Sequence, residues 1–185
     1  MLIRRETPAD HAAVRAVTTA AFATPERPET VEAPLLDALR ECADWLPALS
    51  LVAVRNGSGD GNAEKDGGGR PGRVLGHVVC TRGRVDGAPA LLLGPLGVHP
   101  DHQGRGVGSA LVHSVLGAAD ALGEPLVALL GSPAYYGRYG FRTSTEYGIL
   151  PPDPSWGEHF QVRTLSAYRG TPRGTFRLAE PFDHL

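Results

Sequence analysis

The sequence predicts an α/β fold with a mixed, mostly antiparallel central sheet flanked by helices, and three observations carry that prediction. Residues 90–98 and 126–130 are apolar without alternation, as strands covered on both faces are. Between them Val107, Leu111, Val115, Ala118 and Leu122 form one helical stripe, and a strand–helix–strand unit closes as a right-handed crossover, so these two strands should be parallel. The runs 49–55 and 73–81 are strand-like and flank a polar stretch, which reads as an antiparallel hairpin. A length of 185 residues suits a single domain over 1–185 with a substantial core.

The elements follow in order. Leu2-Ile3-Arg4-Arg5 is a short strand candidate. Thr7 is placed as an N-cap, Pro8 at the first helical position and Asp10 in the first turn,. Val14, Val17 and Ala21 then recur a turn apart, giving a helix of about four turns that stops before Pro25. A polar, proline-stiffened connection leads to a second helix over 30–41, with Val31, Leu35, Leu36 and Leu39 as its buried stripe. Residues 56–72 are glycine-rich with almost nothing apolar to bury, so they are expected to be a flexible hairpin tip. Asp86-Gly87 signals the next turn. Gly94-Pro95 interrupts the central strand, because proline cannot donate to a ladder, and a bulge or a splayed end should result. Gly123 ends the following helix. A short helix over 133–139 closes on Gly140 and returns to the sheet; residues 151–156 form a rigid loop, and 160–165 and 174–179 are the last strands.

Composition excludes several classes. A net charge of −2 offers no broad basic field for nucleic acid or an anionic membrane. The N-terminus is charged almost from its start and no apolar run reaches the roughly 18 residues of a membrane span, so a cytoplasmic protein is expected. Cys42 and Cys80 lack metal-site spacing and read as small buried thiols.

The chemistry gathers at Gln103-Gly104-Arg105-Gly106-Val107-Gly108-Ser109, where a strand gives way to a helix. The first N–H groups of a helix have no intrahelical partner and carry the positive end of its dipole, so an anion fits there. A dinucleotide-binding turn is the nearest rival. It fails at Ser109, where the third glycine should stand, and at Glu124, which precedes its strand instead of ending one. A phosphate-binding P-loop lacks its Gly-Lys-Ser/Thr, and a serine hydrolase its nucleophile elbow.

Val98-x-Pro100-x-x-Gln103-x-x-Gly106-x-Gly108, followed by a helix, a buried strand and Tyr136-x-x-x-Gly140-Phe141, resembles the GNAT superfamily of acyl-CoA-dependent N-acetyltransferases. The wording of 93–100 and 130–136 resembles its YhbS-like bacterial branch. The resemblance implies a GNAT-like fold whose parallel pair splays at the cofactor site, with acetyl-CoA as donor and CoA as product. It places the pyrophosphate on Gly104, Arg105, Gly106, Gly108 and Ser109, opened by Gln103. It sets the pantetheine beside Leu96, Gly97 and Val98, makes Tyr136 the general acid, and lines the CoA with Tyr135 and Tyr139. No metal is implied. The partner is an amine acceptor, and a homodimer is compatible with this family.

Residues 88–98 contain no carboxylate, where many family members carry a glutamate base. His77, His99, Glu158, His159 or a water chain remain as candidates, or the amine arrives already neutral. The missing carboxylate also allows a catalytically silent acyl-CoA-binding module. The acceptor pocket is expected between 24–30 and 151–159, which hold Glu26, Glu29, Asp153 and Glu158.

Overall fold

The computed structural model describes residues 1–26, 28–55 and 72–184. The elements are β1 (Leu2–Arg5), α1 (His11–Phe22), α2 (Glu32–Glu41), β2 (Ser50–Arg55), β3 (Arg73–Val85), β4 (Ala88–Val98), α3 (Val107–Ala121), β5 (Leu126–Leu130), α4 (Pro133–Tyr136), β6 (Arg142–Thr143), β7 (Ile149–Leu150), β8 (Phe160–Thr164) and β9 (Gly174–Arg177). The sheet runs β1-β2-β3-β4-β5-β8-β6, with β9 joining β3 and β7. Its ladders are antiparallel except β4–β5 and β7–β9.

Each expected element is present, with shifted ends. A 3-10 turn, Pro8–Asp10, precedes α1; Thr7 N–H and Oγ1 both donate to Asp10, at 2.9 and 2.7 Å. Arg4 closes the same carboxylate at 2.7 and 2.8 Å, so the start of α1 is pinned to β1. The second helix starts at Glu32, two residues later than the pattern suggested. β3 continues past Thr81 to Val85 and turns through Asp86 and Gly87, whose φ values of 45° and 87° are those of a type I′ hairpin,. The flanks of the expected 56–72 tip pair as foreseen, Ser50 opposite Val79 through to Arg55 opposite Arg73; the tip itself, apart from Gly72, lies outside the described residues.

Period-two alternation divides the core between the sheet's faces. Leu91, Leu93, Val127 and Leu129 pack with Leu111, Val112 and Val115 of α3. On the opposite face Val52, Val54, Val74 and Val79 meet Val14 and Val17 of α1 and Leu36 of α2. Further along, Leu92, Leu126 and Ala128 pack under Ile149, Phe160 and Phe176. Helices thus cover both faces near the middle of the sheet, where the site lies. Both cysteines are free thiols; Cys80 is buried, which pushes its pKa up, and Cys42 is half-buried. No helix among the described residues is long and apolar enough to cross a membrane.

Candidate active site

The site forms where β4 loses a neighbour. The β3–β4 register slips at Gly94-Pro95: Val78 faces Leu96 while Cys80 faces Leu93, so Val79 on β3 stands against both Gly94 and Pro95. Gly94 has φ 149° and its bond to Pro95 is cis. On the other edge, β4 pairs with β5 at Leu91–Val127 and Leu92–Ala128, although both strands run on. Beyond Leu92 they part, and the β4 edge from Leu93 to Val98 is left open towards the gap, as the sequence led us to expect.

The glycine turn sits at the mouth of this gap. Gln103 Nε2 donates to Val98 O at 3.0 Å, tying the loop to the end of β4. Gly106, with φ 81°, is the N-cap of α3, a left-handed position that side chains resist. The first α3 N–H to meet a carbonyl is that of Ala110, on Gly106 O at 2.9 Å. The N–H groups of Val107, Gly108 and Ser109 precede it and have no intrahelical carbonyl to reach.

These parts enclose a cleft of about 620 Å³ lined by Leu96, Val98, Gln103, Gly104, Gly106, Val107, Gly108, Ser109, Tyr135, Tyr136, Arg138 and Tyr139. Of the expected site residues, Gly97 and Arg105 are outside this lining. A Cβ on Gly97 would sit against Ala21 and Thr18 of α1, so only its backbone can serve the cleft; Arg105 is exposed. Two lining residues were missed: Val107, hidden as a stripe residue, and Arg138, the one cation among the described residues of the lining. The Arg138 guanidinium stacks 4.8 Å from the Tyr135 ring centre and its Nε donates to Tyr135 O at 2.9 Å. That cation stands inside the tyrosine motif, which was the signal available for it.

The tyrosines pack edge-to-face, Tyr135 on Tyr136 at 4.9 Å and Tyr136 on Phe141 at 5.8 Å. Tyr139 is buried and donates its hydroxyl to Ser109 Oγ at 3.2 Å. Gly108 makes room for Tyr135, whose hydroxyl would be 3.0 Å from a Cβ there. Burial, with a smaller push from Tyr139, raises the Tyr136 pKa to about 12. Burial and Tyr139 also raise that of Tyr135. Both phenols therefore hold their protons at neutral pH.

A second cavity, about 430 Å³, opens on the α1–α2 side of the gap. Its walls are Phe22, Leu35, Leu92, Leu93, Gly94, Pro95, Leu130, Trp156, Leu178 and Phe182, with Glu32, Leu96 and Tyr136. Leu96 and Tyr136 line both cavities. The two spaces lie against the splayed strand, one towards α3 and the other towards α1 and α2, and these two residues belong to the walls of both.

The base candidates fare differently. His77 is fully buried, with Nε2 2.8 Å from Ser50 Oγ. The Ser50 hydroxyl donates to Glu6 at 2.6 Å, so its oxygen accepts from Nε2, and the imidazole carries its proton there. Burial lowers the His77 pKa and keeps it neutral. Burial raises the pKa of Glu6, but His77, Ser50 and Arg40 outweigh it and hold that carboxyl at about 2. His77 thus belongs to a sealed network under α1 and α2, away from both cavities. His99 accepts from the Asp101 N–H at 3.3 Å and lines a separate hollow beside Asp10 and Val17. Glu158 and His159 are exposed. Of the expected acceptor acids, Glu26, Glu29, Asp153 and Glu158 are all exposed and outside the cavity lining; Trp156 is what the 151–159 loop contributes. The carboxylate inside is Glu32, which sequence reading missed. Glu124, the acid of the rejected dinucleotide reading, makes a two-pronged ion pair with Arg82 at 2.6 Å for each contact. Among the described residues no cluster of His, Cys, Asp and Glu could hold a metal.

The site thus joins a glycine-capped helix start, a strand that splays beside it and a half-buried tyrosine lining two cavities, and residues 62–143 match the acetyltransferase (GNAT) domain. The chain belongs to the GNAT family of N-acetyltransferases. Within it the chain is 31% identical over 180 residues to the uncharacterized N-acetyltransferase YjhQ of Escherichia coli, covering 93% of this chain and 88% of that one. It is 30% identical over 168 residues to YhbS of the same organism, covering 90% and 88%. The crystal structure of YhbS in complex with CoA superposes with a TM-score of 0.81 at 28% identity, covering 98% of this chain and 91% of YhbS. A GNAT acetyltransferase from Brucella melitensis in complex with acetyl-CoA gives 0.70 at 32% identity, covering 98% and 97%.

Proposed function

We propose that the chain, acting as one domain, transfers an acetyl group from acetyl-CoA to a primary amine of a small-molecule or peptide acceptor, by direct attack within a ternary complex. The observation that carries this reading is that Leu96 and Tyr136 line both cavities. A thioester entering from the glycine-turn side and an amine entering from the α1–α2 side would meet at those residues without a covalent relay.

When bound, acetyl-CoA supplies an activated acetyl thioester. The first-turn N–H groups of α3 hold its pyrophosphate, with Arg138 as the neighbouring cation. The open edge from Leu93 to Val98 offers backbone groups to the pantetheine amides and an N–H to the oxygen that becomes charged during attack. Tyr136, whose raised pKa keeps a proton on Oη at neutral pH, gives that proton to the sulfur as the C–S bond breaks, and the phenolate so formed takes back the proton that the nitrogen loses as the amide forms,.

Tyr136→Phe tests this reading. Turnover, followed by thiol release with a panel of primary amines, should fall by about 10²-fold or more, as loss of a general acid does. Acetyl-CoA affinity by calorimetry should stay within about twofold. Unchanged turnover removes Tyr136 from the mechanism. Acetyl-CoA binding with no thiol release from any amine would favour a silent acyl-CoA-binding module, for which the absence of a β4 carboxylate is the argument.

A further inference from the structure

The acceptor-side cavity has an electrostatic anomaly at Glu32. Its walls are otherwise apolar: aromatic rings from Phe22, Trp156 and Phe182 and aliphatic groups from Leu35, Leu130 and Leu178. Glu32 is the one charged residue among them, and the hydroxyl of Tyr136 and the indole of Trp156 are the other polar side-chain groups. The Glu32 Oε2 atom is buried and, among the described residues, no donor reaches it. A carboxylate oxygen held out of water without a hydrogen-bond partner is costly, and folded proteins rarely leave one so. Glu32 is also the first residue of α2, where the helix dipole favours negative charge. The dipole explains why an acid is tolerated at that end. It supplies no donor for Oε2.

The Oε2 atom is enclosed by protein, but Glu32 is only half-buried and lines the cavity through its other atoms. A cation brought to this carboxylate from the cavity would give it the partner it lacks, and the walls describe what that cation is attached to. We propose that Glu32 is the acceptor-recognition carboxylate: it takes up a monovalent primary amine as its ammonium, accepts a proton from it so that the free amine can attack, and the amine's body is an aromatic or aliphatic group lying against Phe22, Leu35, Trp156 and Phe182. The assignment rests on reading this cavity as the acceptor side of the acetyltransferase site. A cavity of about 430 Å³ has the size of a small ligand pocket and takes a phenethyl-sized body with room to spare. The same walls disfavour a polyamine or an amino sugar, because a second charge or a set of hydroxyls would be buried against largely apolar walls with too few polar groups to satisfy them.

The test compares phenethylamine with 2-phenylethanol, which has the same body without the charge. Each is titrated calorimetrically into the full chain saturated with CoA. Phenethylamine should bind at least tenfold more tightly than the alcohol. In Glu32→Gln that preference should disappear while the alcohol's affinity stays within twofold, and the retained alcohol binding shows that the variant is folded and the pocket intact. A preference that survives in Glu32→Gln overturns the assignment, and so does failure of phenethylamine to bind. Tighter binding of putrescine than of phenethylamine overturns the apolar body. None of these readouts needs turnover: charge-selective binding without thiol release would sink the transferase reading and leave Glu32 in its role.

Discussion

Gly131→Ala is the most informative substitution for the proposed chemistry, because it displaces the Tyr136 phenol without removing it. A Cβ on Gly131 would lie 2.4 Å from Tyr136 Cε2 and 2.8 Å from Cδ2, against an optimal carbon–carbon separation of about 3.5–4.0 Å. One side must therefore yield by about 1 Å or more. The Gly131 backbone is held at both ends, its N–H on His159 O and its carbonyl on Gln161 Nε2, each at 2.9 Å. The ring is the part that moves, and it carries Oη out of line with the junction of the cavities. A misplacement of about 1 Å at a reacting group costs about 10²-fold in rate. We expect kcat from thiol release to fall by about that factor, close to the effect of Tyr136→Phe, with acetyl-CoA affinity unchanged within about twofold. Overpacking should also lower stability by about 1–3 kcal/mol. A Gly131→Ala enzyme whose kcat lies within about threefold of wild type would refute the claim that the position of Tyr136 sets the rate.

Other outcomes follow from the same structure. Glu6→Gln should destabilise by about 3 kcal/mol, the lower end for breaking a buried pair, because Arg40 keeps a second contact to Asp37 at 2.8 Å; thermal unfolding at pH 7 reads it, and a loss below about 0.5 kcal/mol refutes it. Wild-type stability should fall with acid: unfolded His77 takes a proton below its ordinary 6.5 while the folded residue resists, and the contribution of Glu6, full above its ordinary 4.5, is lost as pH falls towards about 2,. The midpoint measured across pH 7 to 3 should decline, and Glu6→Gln should flatten the lower part of that decline. Gly117→Ala, on α3 where a Cβ would meet nothing within 4 Å, should stabilise by about 0.5–1 kcal/mol, raising Tm by roughly 1–4 °C with kcat unchanged; a lower Tm contradicts the open position.

What was legible in the sequence was local. The stripe of α3, the glycine turn before it and the Gly94-Pro95 break each depend on residues close in the chain, and each was placed correctly from periodicity, missing donors and positive φ. The misread residues depend on pairings that no local spacing encodes. His77 looked like a free titratable group in a strand; the register that sets Val52 opposite it puts Ser50 and Glu6 on its ring. The two-residue β7, bound to β9 at Ile149–Gly174 and Leu150–Thr175, is too short to leave a pattern. Glu32 was not singled out, since its apolar surroundings come from the end of α1, β4, β5, the 151–159 loop and the C-terminal segment.

The Gly94-Pro95 break matters to more than the pantetheine edge. Proline removes a ladder donor and the bulge turns β4 from its course, and the strand stops pairing with β5 after Leu92. Gly94 and Pro95 line the acceptor-side cavity, Val98 lines the other, and Leu96 lines both. A continuous β4–β5 ladder would separate the two spaces with a wall of backbone. On the function proposed above, the irregularity would supply both the cofactor's edge and the place where an amine reaches the thioester. If the β4 backbone serves the donor, as proposed, the acceptor is left to be held by side chains from α2 and the loops around the second cavity.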